Sequence, residues 1–346
     1  MNDASRTASL TRFLGRSAQP FRVLSIDGGG IRGVIPALVL AEIERRVGKP
    51  IWEIFDLIVG TSIGGLIGLA LVTPDADGKP RFSARTLGRL IEKNADRVFE
   101  RSLWHKVTAV GNLTNSKYPE EGFNRVLTEM FGETRLSEVL TDTVITSYEI
   151  ERRIPFFFRS RNAKTNEGYD FPLSQVVRAT TAAPTYFEPA HIPSHDGHDY
   201  FALVDGAVFA YNPALCALIE AQELNPDNRE IFMVSLGAGE LTRRLPYEEV
   251  RNWGAATWAQ PLFSLMCDGV AHSVDYQIRH ILQQGANGRP RYYRFQVRLD
   301  VGNDDMDDIS PSNIRVLKLL AEDMILKNRR TLKELAGYLA EWSKAA

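Results

Sequence analysis

Two glycine-rich turns, about thirty residues apart, constrain the fold of this chain more than any other feature. One reads Gly28-Gly29-Gly30-Ile31-Arg32-Gly33 and follows the apolar run 21–26, and the other reads Gly60-Thr61-Ser62-Ile63-Gly64 and follows the apolar run 54–59. Each turn precedes an apolar stretch of helical character, which predicts a buried strand, a sharp corner and a helix. Two such units favour an α/β fold: a mostly parallel central sheet with helices on both faces.

Composition indicates the class of protein and which kinds of partner its charge favours. The chain has 346 residues, of which 44% are hydrophobic and 24% charged, with a net charge of -2. This balance is typical of a globular protein with a large core, and it gives no indication of a nucleic-acid partner. We predict a flexible polar tail over residues 1–18 and a single α/β domain over 19–346 with a helical C-terminal part.

The remaining elements follow from local periodicity. The predicted strands span 143–150, 155–159, 201–204, 231–236 and 291–298, the first two as a hairpin. The predicted helices span 35–47, 62–72, 84–100, 120–131, 174–182 (with Ser174 as its N-cap), 213–223, 257–284 and 312–342. The loop 73–83 and the irregular segment 101–119 follow the Ser62 helix, and we predict that they form a lid.

Ser62 is a candidate nucleophile because a serine at a strand-to-helix corner holds its hydroxyl clear of the backbone. The flanking Gly60 and Gly64 suit a turn that needs unusual backbone angles and close packing of strand and helix. A tight structural turn with an incidental serine explains the same pattern.

The first turn offers a row of backbone N–H groups that can hold an anion. Its Gly28-x-Gly30-x-x-Gly33 spacing also matches a dinucleotide-binding fingerprint. That fold needs an acidic residue at the end of the second strand, and Glu42, Glu44 and Glu53 do not occupy such a place. The oxidoreductase interpretation therefore stays open, although the acidic residue that would bind the ribose of the dinucleotide is missing.

A serine nucleophile needs a base. None of the six histidines follows a strand in a glycine-flanked turn, and His195 and His198 lie in a polar turn that favours a solvated loop over a metal site. Asp205 instead follows the apolar run 201–204 and precedes Gly206. Because the carboxyl ends of parallel strands share one edge, we expect Asp205 to approach Ser62 there. A plain turn aspartate, and a binding module without catalysis, remain alternatives.

Taken together and in order, these motifs resemble the patatin-like phospholipases. The similarity extends over roughly residues 20–240. The stretches that carry it are Asp27-Gly28-Gly29-Gly30-Ile31-Arg32-Gly33, Gly60-Thr61-Ser62-Ile63-Gly64, Asp205-Gly206-Ala207, the segment 178–187, Asn212-Pro213-Ala214 and the segment 234–239.

The resemblance implies a lipid acyl hydrolase that uses a Ser–Asp dyad without histidine, with Ser62 as nucleophile and Asp205 as base. It also implies that neither a cofactor nor a metal takes part. The implied oxyanion hole consists of Gly28, Gly29, Gly30, Arg32 and Gly33, with backbone amides as donors and Arg32 as a positioning residue. The motif-flanking residues are Gly60, Gly64, Gly206 and Ala207.

The layout of the chain further resembles the bacterial patatin-like effectors of cyclic-oligonucleotide anti-phage defence. This resemblance implies a membrane phospholipid substrate and a cyclic dinucleotide activator, for which we assign no binding residues. It implies a cytoplasmic protein that acts at the inner face of the cell membrane, and it leaves a homodimer open.

Overall fold

The computed structural model of the protein describes residues 19–99, 118–285, 287–301 and 305–343. The predicted tail over 1–18 and nearly all of the predicted irregular segment over 101–119 lie outside these residues. Across the described ranges, none of the helices combines the length and the hydrophobicity that crossing a bilayer requires.

Eight of the described strands form one central sheet, ordered β5-β6-β3-β2-β1-β7-β9, with β4 also paired to β3. Five neighbouring strands, from β3 through β9, are parallel, whereas β4 and β6 run antiparallel to β3. The prediction of a mostly parallel sheet is thus confirmed. The strands are β1 (Phe21–Ile26), β2 (Leu57–Thr61), β3 (Asp142–Glu149), β4 (Ile154–Arg159), β5 (Ala190–Pro193), β6 (Tyr200–Asp205), β7 (Ile231–Leu236) and β9 (Tyr292–Phe295), while β8 (Glu240–Leu241) and β10 (Arg298–Leu299) pair separately.

Helices cover both faces of the sheet, as the alternating pattern predicts. Along β1, Leu24 and Ile26 pack into one hydrophobic cluster and Phe21 and Val23 into another on the opposite face. The helices are α1 (Val34–Val47), α2 (Ile51–Ile54), α3 (Ile63–Val72), α4 (Ala84–Val98), α5 (Glu120–Phe131), α6 (Ser160–Ala163), α7 (Leu173–Thr180), α8 (Ala207–Ala210), α9 (Ala214–Leu224), α10 (Tyr247–Val250), α11 (Ala255–Ile281), α12 (Pro311–Lys327) and α13 (Arg329–Ser343).

Three local predictions are wrong. The apolar run 54–59 begins in the short helix α2, and β2 starts only at Leu57, so Asp56 precedes the strand and pairs with Arg22 at 2.9 Å. Pro172, not Ser174, is the N-cap of α7. The predicted helix over 312–342 is two helices that meet at Asn328. Apolar periodicity marks buried segments well but does not distinguish a short buried helix from a strand.

Candidate active site

Ser62 lies in the corner between β2 and α3, with φ 55° and ψ −126°. A non-glycine residue rarely adopts positive φ, and such strain persists only where the surroundings enforce it. Here the two glycines allow the strand and helix to approach. A Cβ atom at Gly60 would lie 2.6 Å from the Gly65 nitrogen, and one at Gly64 would lie 2.6 Å from the Asp27 oxygen.

Buried threonines hold this corner in place. The Thr180 hydroxyl accepts a hydrogen bond from the Ser62 N–H at 2.8 Å and donates to the Thr146 carbonyl at 2.7 Å. The Thr61 hydroxyl lies 2.7 Å from that of Thr146 and donates to the Ala210 carbonyl. Thr61 and Thr180 lie in stretches that carry the family resemblance, but the sequence analysis assigned no role to them or to Thr146, because their partners are distant in sequence.

Asp205 reaches Ser62 by a route that differs from the expected one. β2 pairs with the first half of β3, with Thr61 opposite Thr146, and β6 pairs antiparallel with the second half, with Asp205 opposite Ser147. Because β4 occupies the other side of β3, the carboxyl ends of β2 and β6 meet head-on. The two residues do come together, but through an antiparallel strand and not through a shared parallel edge.

Burial dominates the electrostatics of Asp205. Desolvation raises the pKa of this carboxyl group from 3.8 to about 7, opposed by hydrogen bonds from the Ser62 side chain and the Ala207 N–H. The Ala207 N–H donates to Oδ1 at 2.8 Å. At Gly206, a Cβ atom would lie 2.7 Å from Thr146 Cβ, so the glycine lets the turn pack directly on β3.

The glycine turn lies against the same corner. A Cβ atom at Gly28 would be 3.3 Å from Ser62 Cβ. The Gly28 N–H donates to the Tyr211 carbonyl at 3.0 Å, whereas the N–H groups of Gly29 and Gly30 have no acceptor among the described residues. Gly29 and Gly30 have φ 152° and 58°, a conformation that other residues rarely adopt.

Arg32 and Gly33 serve the packing of this turn. The Arg32 guanidinium is buried, and it donates to the Gly29 carbonyl at 3.2 Å and to the Tyr211 hydroxyl at 2.9 Å. Its Nη1 has no partner among the described residues. Gly33 faces Ile63, where no room exists for a Cβ atom.

Two supports of the turn come from far along the chain, and the sequence analysis missed both. Arg294 in β9 donates to both carboxylate oxygens of Asp27, at 2.8 and 2.5 Å, and both side chains are buried. Met306 accepts a hydrogen bond from the Ile31 N–H at 2.9 Å on its carbonyl. A lone arginine in a strand and a methionine in a loop offer no signal in one sequence.

An apolar pocket opens onto Ser62 and Asp205. Helices α4 and α5 supply much of its wall, namely Leu90, Ile91, Val98, Phe123, Val126 and Met130. Among the described residues, no histidine lines the pocket, and no cluster of side chains has the makeup of a metal site. His105 lies outside those residues.

Comparisons with known proteins identify the family. The family model of the patatin-like phospholipases matches residues 24–218. The chain belongs to the patatin-like phospholipase family. A patatin from Solanum tuberosum is 30% identical over 331 residues, covering 88% of this chain and 83% of the relative. Patatin-like protein 4 from Arabidopsis thaliana is 28% identical, with 88% and 83% covered.

Membership in the patatin-like family favours the hydrolase interpretation over the oxidoreductase one. The residue that follows β2 is Ser62, and a dinucleotide-binding fold would need an acidic residue there. Another relative from Solanum tuberosum, 29% identical over 88% of this chain and 86% of its own length, is described as a probable inactive patatin. Family membership alone therefore does not establish catalysis.

Proposed function

We propose that this protein hydrolyses acyl ester bonds of membrane glycerophospholipids with a Ser62–Asp205 dyad. The observation that carries the proposal is the meeting of a buried carboxylate and a strained serine at the floor of an apolar pocket. The same juxtaposition would be costly in a purely structural corner, because a buried carboxylate without a cationic partner opposes folding.

Asp205 suits the role of general base. A base works best when its pKa lies near the working pH, and burial raises the pKa of Asp205 to about 7. Ser62 and Asp205 line the same pocket, and the Ser62 side chain is one of the groups that lower the pKa of Asp205, so we expect the proton to pass directly between them. A carboxylate acting directly on a serine thus replaces the histidine that the pocket lacks within the described residues.

The N–H groups of Gly29 and Gly30 are the proposed oxyanion donors. Gly28 is already bonded to Tyr211, so its contribution is to bring the turn close to Ser62. Helix α3 begins directly after Ser62, and its N-terminus adds a favourable field for negative charge. Arg32 positions the turn through Gly29 and Tyr211 and does not itself bind the oxyanion.

The pocket supports an acyl substrate. The residues that α4 and α5 contribute to its wall are aliphatic or aromatic except for Asn94. A hydrocarbon chain gains roughly 0.8 kcal/mol for each methylene buried in such surroundings. A fatty acyl group could therefore lie between these helices with its ester carbon at Ser62.

The reaction would proceed in two balanced steps. Asp205 takes the proton of Ser62 Oγ while that oxygen attacks the ester carbonyl. Collapse of the tetrahedral intermediate breaks the ester C–O bond, and Asp205 returns the proton to the departing lysophospholipid alcohol. Water then gives a proton to Asp205 and attacks the carbonyl carbon of the acyl-serine. Collapse of this second intermediate breaks the bond to Ser62 Oγ, which takes the proton back from Asp205, and the fatty acid is released.

The test is fatty-acid release from phosphatidylcholine vesicles by the wild type, Ser62→Ala and Asp205→Asn. We expect each substitution to lower the rate by roughly a thousandfold or more, since the residues act as a unit. Ser25→Ala is the matched control, because Ser25 is a buried serine whose hydroxyl has no partner among the described residues. This variant should keep its activity.

Two outcomes would contradict the proposal. Fatty-acid release that survives both site substitutions would assign the chemistry elsewhere. Absence of release, combined with failure of a fluorophosphonate probe to label Ser62, would favour a binding module without catalysis.

Regulation and location form a further part of the proposal, supported by the resemblance in layout alone. We propose a cytoplasmic protein that acts at the inner face of the cell membrane and is activated by a cyclic dinucleotide in anti-phage defence. The same vesicle assay with a panel of cyclic dinucleotides tests the activation. A rate that none of them changes would leave an ungated lipase.

A further inference from the structure

The N-terminal half of α11 carries exposed apolar side chains on one side. Leu262, Leu265 and Met266 are 45%, 48% and 54% exposed. The half-buried Trp258 lies one turn before Leu262, and the spacing of these four residues places all of them on a single helical surface. We call Trp258, Leu262, Leu265 and Met266 the α11 apolar face.

The apolar face coincides with an uncharged segment of sequence. Residues 252–267 contain no aspartate, glutamate, lysine or arginine. The second half of α11, in contrast, carries Asp268, Asp275 and Arg279. A contiguous exposed apolar patch of this kind marks a site of interaction, unlike apolar residues scattered singly over a surface.

The same helical turns border the candidate active site. Phe263, next to Leu262, lines the pocket that contains Ser62 and Asp205. Cys267, next to Met266, lies with its sulfur 3.9 Å from the carbonyl oxygen of Ala207. One side of this helix therefore faces the pocket while the neighbouring side is exposed.

We propose that the α11 apolar face docks onto the surface of a phospholipid bilayer and brings the pocket to the lipid. This inference rests on the proposed function, because it supplies the surface from which the acyl substrate enters. Trp253 packs edge-on against Trp258 at 5.3 Å between ring centres. Tryptophan rings favour the boundary between lipid and water, where one part of the ring is buried and the N–H stays hydrated.

A bilayer fits this face better than a second copy of the chain. Stable protein interfaces bury about 800 Å² on each partner through some 20–30 residues, and the α11 apolar face has four. The exposed charges just before the helix nearly cancel, comprising Arg243, Arg244, Arg251, Glu248 and Glu249. Docking should accordingly depend on apolar insertion and little on salt or anionic headgroups.

Sedimentation with phosphatidylcholine vesicles tests the inference in a Ser62→Ala background, where binding is separated from hydrolysis. Leu262→Ser/Leu265→Ser should lower vesicle partitioning by roughly tenfold, since two half-exposed leucines lose their insertion energy. Leu319→Ser/Leu326→Ser is the matched control, because these α12 leucines are similarly exposed, at 57% and 68%, outside the face. It should bind as the parent does.

A gain-of-binding variant guards against misfolding as the explanation. Met266→Trp adds an aromatic ring to the face and should increase vesicle partitioning. Unchanged binding in both the double variant and Met266→Trp would overturn the inference. So would a drop in sedimentation mass from dimer to monomer in the double variant, because the face would then be a self-association surface.

A soluble substrate separates this inference from the proposed function. With Ser62 intact, Leu262→Ser/Leu265→Ser should hydrolyse a water-soluble short-chain ester at the wild-type rate while losing hydrolysis of vesicles. Equal loss on both substrates would overturn the docking role. If the wild type hydrolyses neither substrate, with or without the panel of cyclic dinucleotides, the proposed function fails. The vesicle binding of the Ser62→Ala variants still decides the docking.

Discussion

The two strand-to-helix corners of this protein lie side by side but are held by different means. The serine corner after β2 is fixed by close packing of backbone on backbone at Gly60 and Gly64 and by hydrogen bonds to the hydroxyls of Thr146 and Thr180. The glycine corner after β1 is fixed by side chains from far along the chain, including Arg294 and Met306. The strained backbone of Ser62 persists because tight packing enforces it, whereas the glycine corner is held by residues of the C-terminal part of the chain that leave the Gly29 and Gly30 N–H groups uncovered.

This difference also divides the chain. The serine corner and its supports lie within the family-matched residues 24–218, whereas Arg294 and Met306 lie beyond them. The C-terminal part of the chain thus completes the glycine corner. The two corners should respond differently to substitution, and the predictions below compare them.

The largest effect should come from breaking the serine corner. In Gly64→Ala, the added Cβ would lie 2.6 Å from the Asp27 oxygen and closer still to the Ile26 oxygen, and backbone cannot yield as a flexible side chain can. Overpacking of this kind costs about 3 kcal/mol or more, enough to lose the fold or the site. Urea unfolding and vesicle hydrolysis measure both effects.

Gly88→Ala in α4 is the control for that substitution. The added Cβ would meet only Ala37 Cβ at 3.8 Å, an ordinary contact. Alanine is favoured over glycine inside a helix by up to about 1 kcal/mol, so this variant should be neutral or more stable. Equal losses in the two variants would show that close approach at Gly64 does not hold the serine corner.

The next effect should come from breaking the glycine corner at its distant support. Arg294→Met leaves the buried carboxylate of Asp27 without its partner, and burial already raises the pKa of that group. Removing one member of a buried pair costs about 3–5 kcal/mol. Urea denaturation should show this loss, and Asp27→Asn/Arg294→Met should recover part of it.

An exposed ion pair gives the reference for that result. Lys318 and Glu92 are 3.0 Å apart with side chains 39% and 42% exposed, and Lys318→Met should cost less than about 1 kcal/mol. A comparable loss in Lys318→Met and Arg294→Met would mean that the glycine corner does not depend on its buried pair.

The contrast between the corners explains how far sequence alone could go. The strand–turn–helix units could be predicted, because glycines and apolar runs report local geometry. The approach of Ser62 to Asp205 was predicted on the premise of a shared parallel edge, which the structure does not have. The antiparallel course of β6 could not, since strand direction depends on pairing with β3 across more than fifty residues. Arg294, Met306 and Thr180 act through tertiary contacts that no local pattern encodes.

The third prediction concerns the pH dependence of hydrolysis, which should reflect Asp205 beside the serine corner and not the glycine corner. Asp205 must be ionised to accept the serine proton, and its pKa is about 7, whereas backbone N–H groups do not titrate. Hydrolysis should therefore fall as pH decreases below 7, by roughly a hundredfold at pH 5. A rate profile on a soluble ester that stays flat between pH 5 and 8 would exclude Asp205 as the base.

Stability should change with pH in the opposite direction. Burial raises the pKa of Asp205 above its ordinary 3.8, so the folded state holds this proton more tightly than the unfolded state does. The stability that this bound proton gives to the folded state is fully present below pH 3.8 and is lost as pH rises through about 7. Relative to the wild type, Asp205→Asn should gain stability between pH 4 and 8, and a constant difference would contradict the raised pKa.

The smallest effect should come from one hydrogen bond at the glycine corner. Tyr211→Phe removes the hydroxyl that accepts from Arg32 at 2.9 Å, and Arg32 Nη1 already lacks a partner among the described residues. Leaving another buried donor unpaired should cost about 1–2 kcal/mol, while Arg32 Nε keeps its bond to Gly29.

Tyr293→Phe is the matched control, because that buried hydroxyl has no partner among the described residues and its removal should be nearly neutral. If urea denaturation gives equal losses for the two variants, the Arg32–Tyr211 bond does not stabilise the turn. The glycine corner would then depend on its other contacts, among them those with Arg294 and Met306.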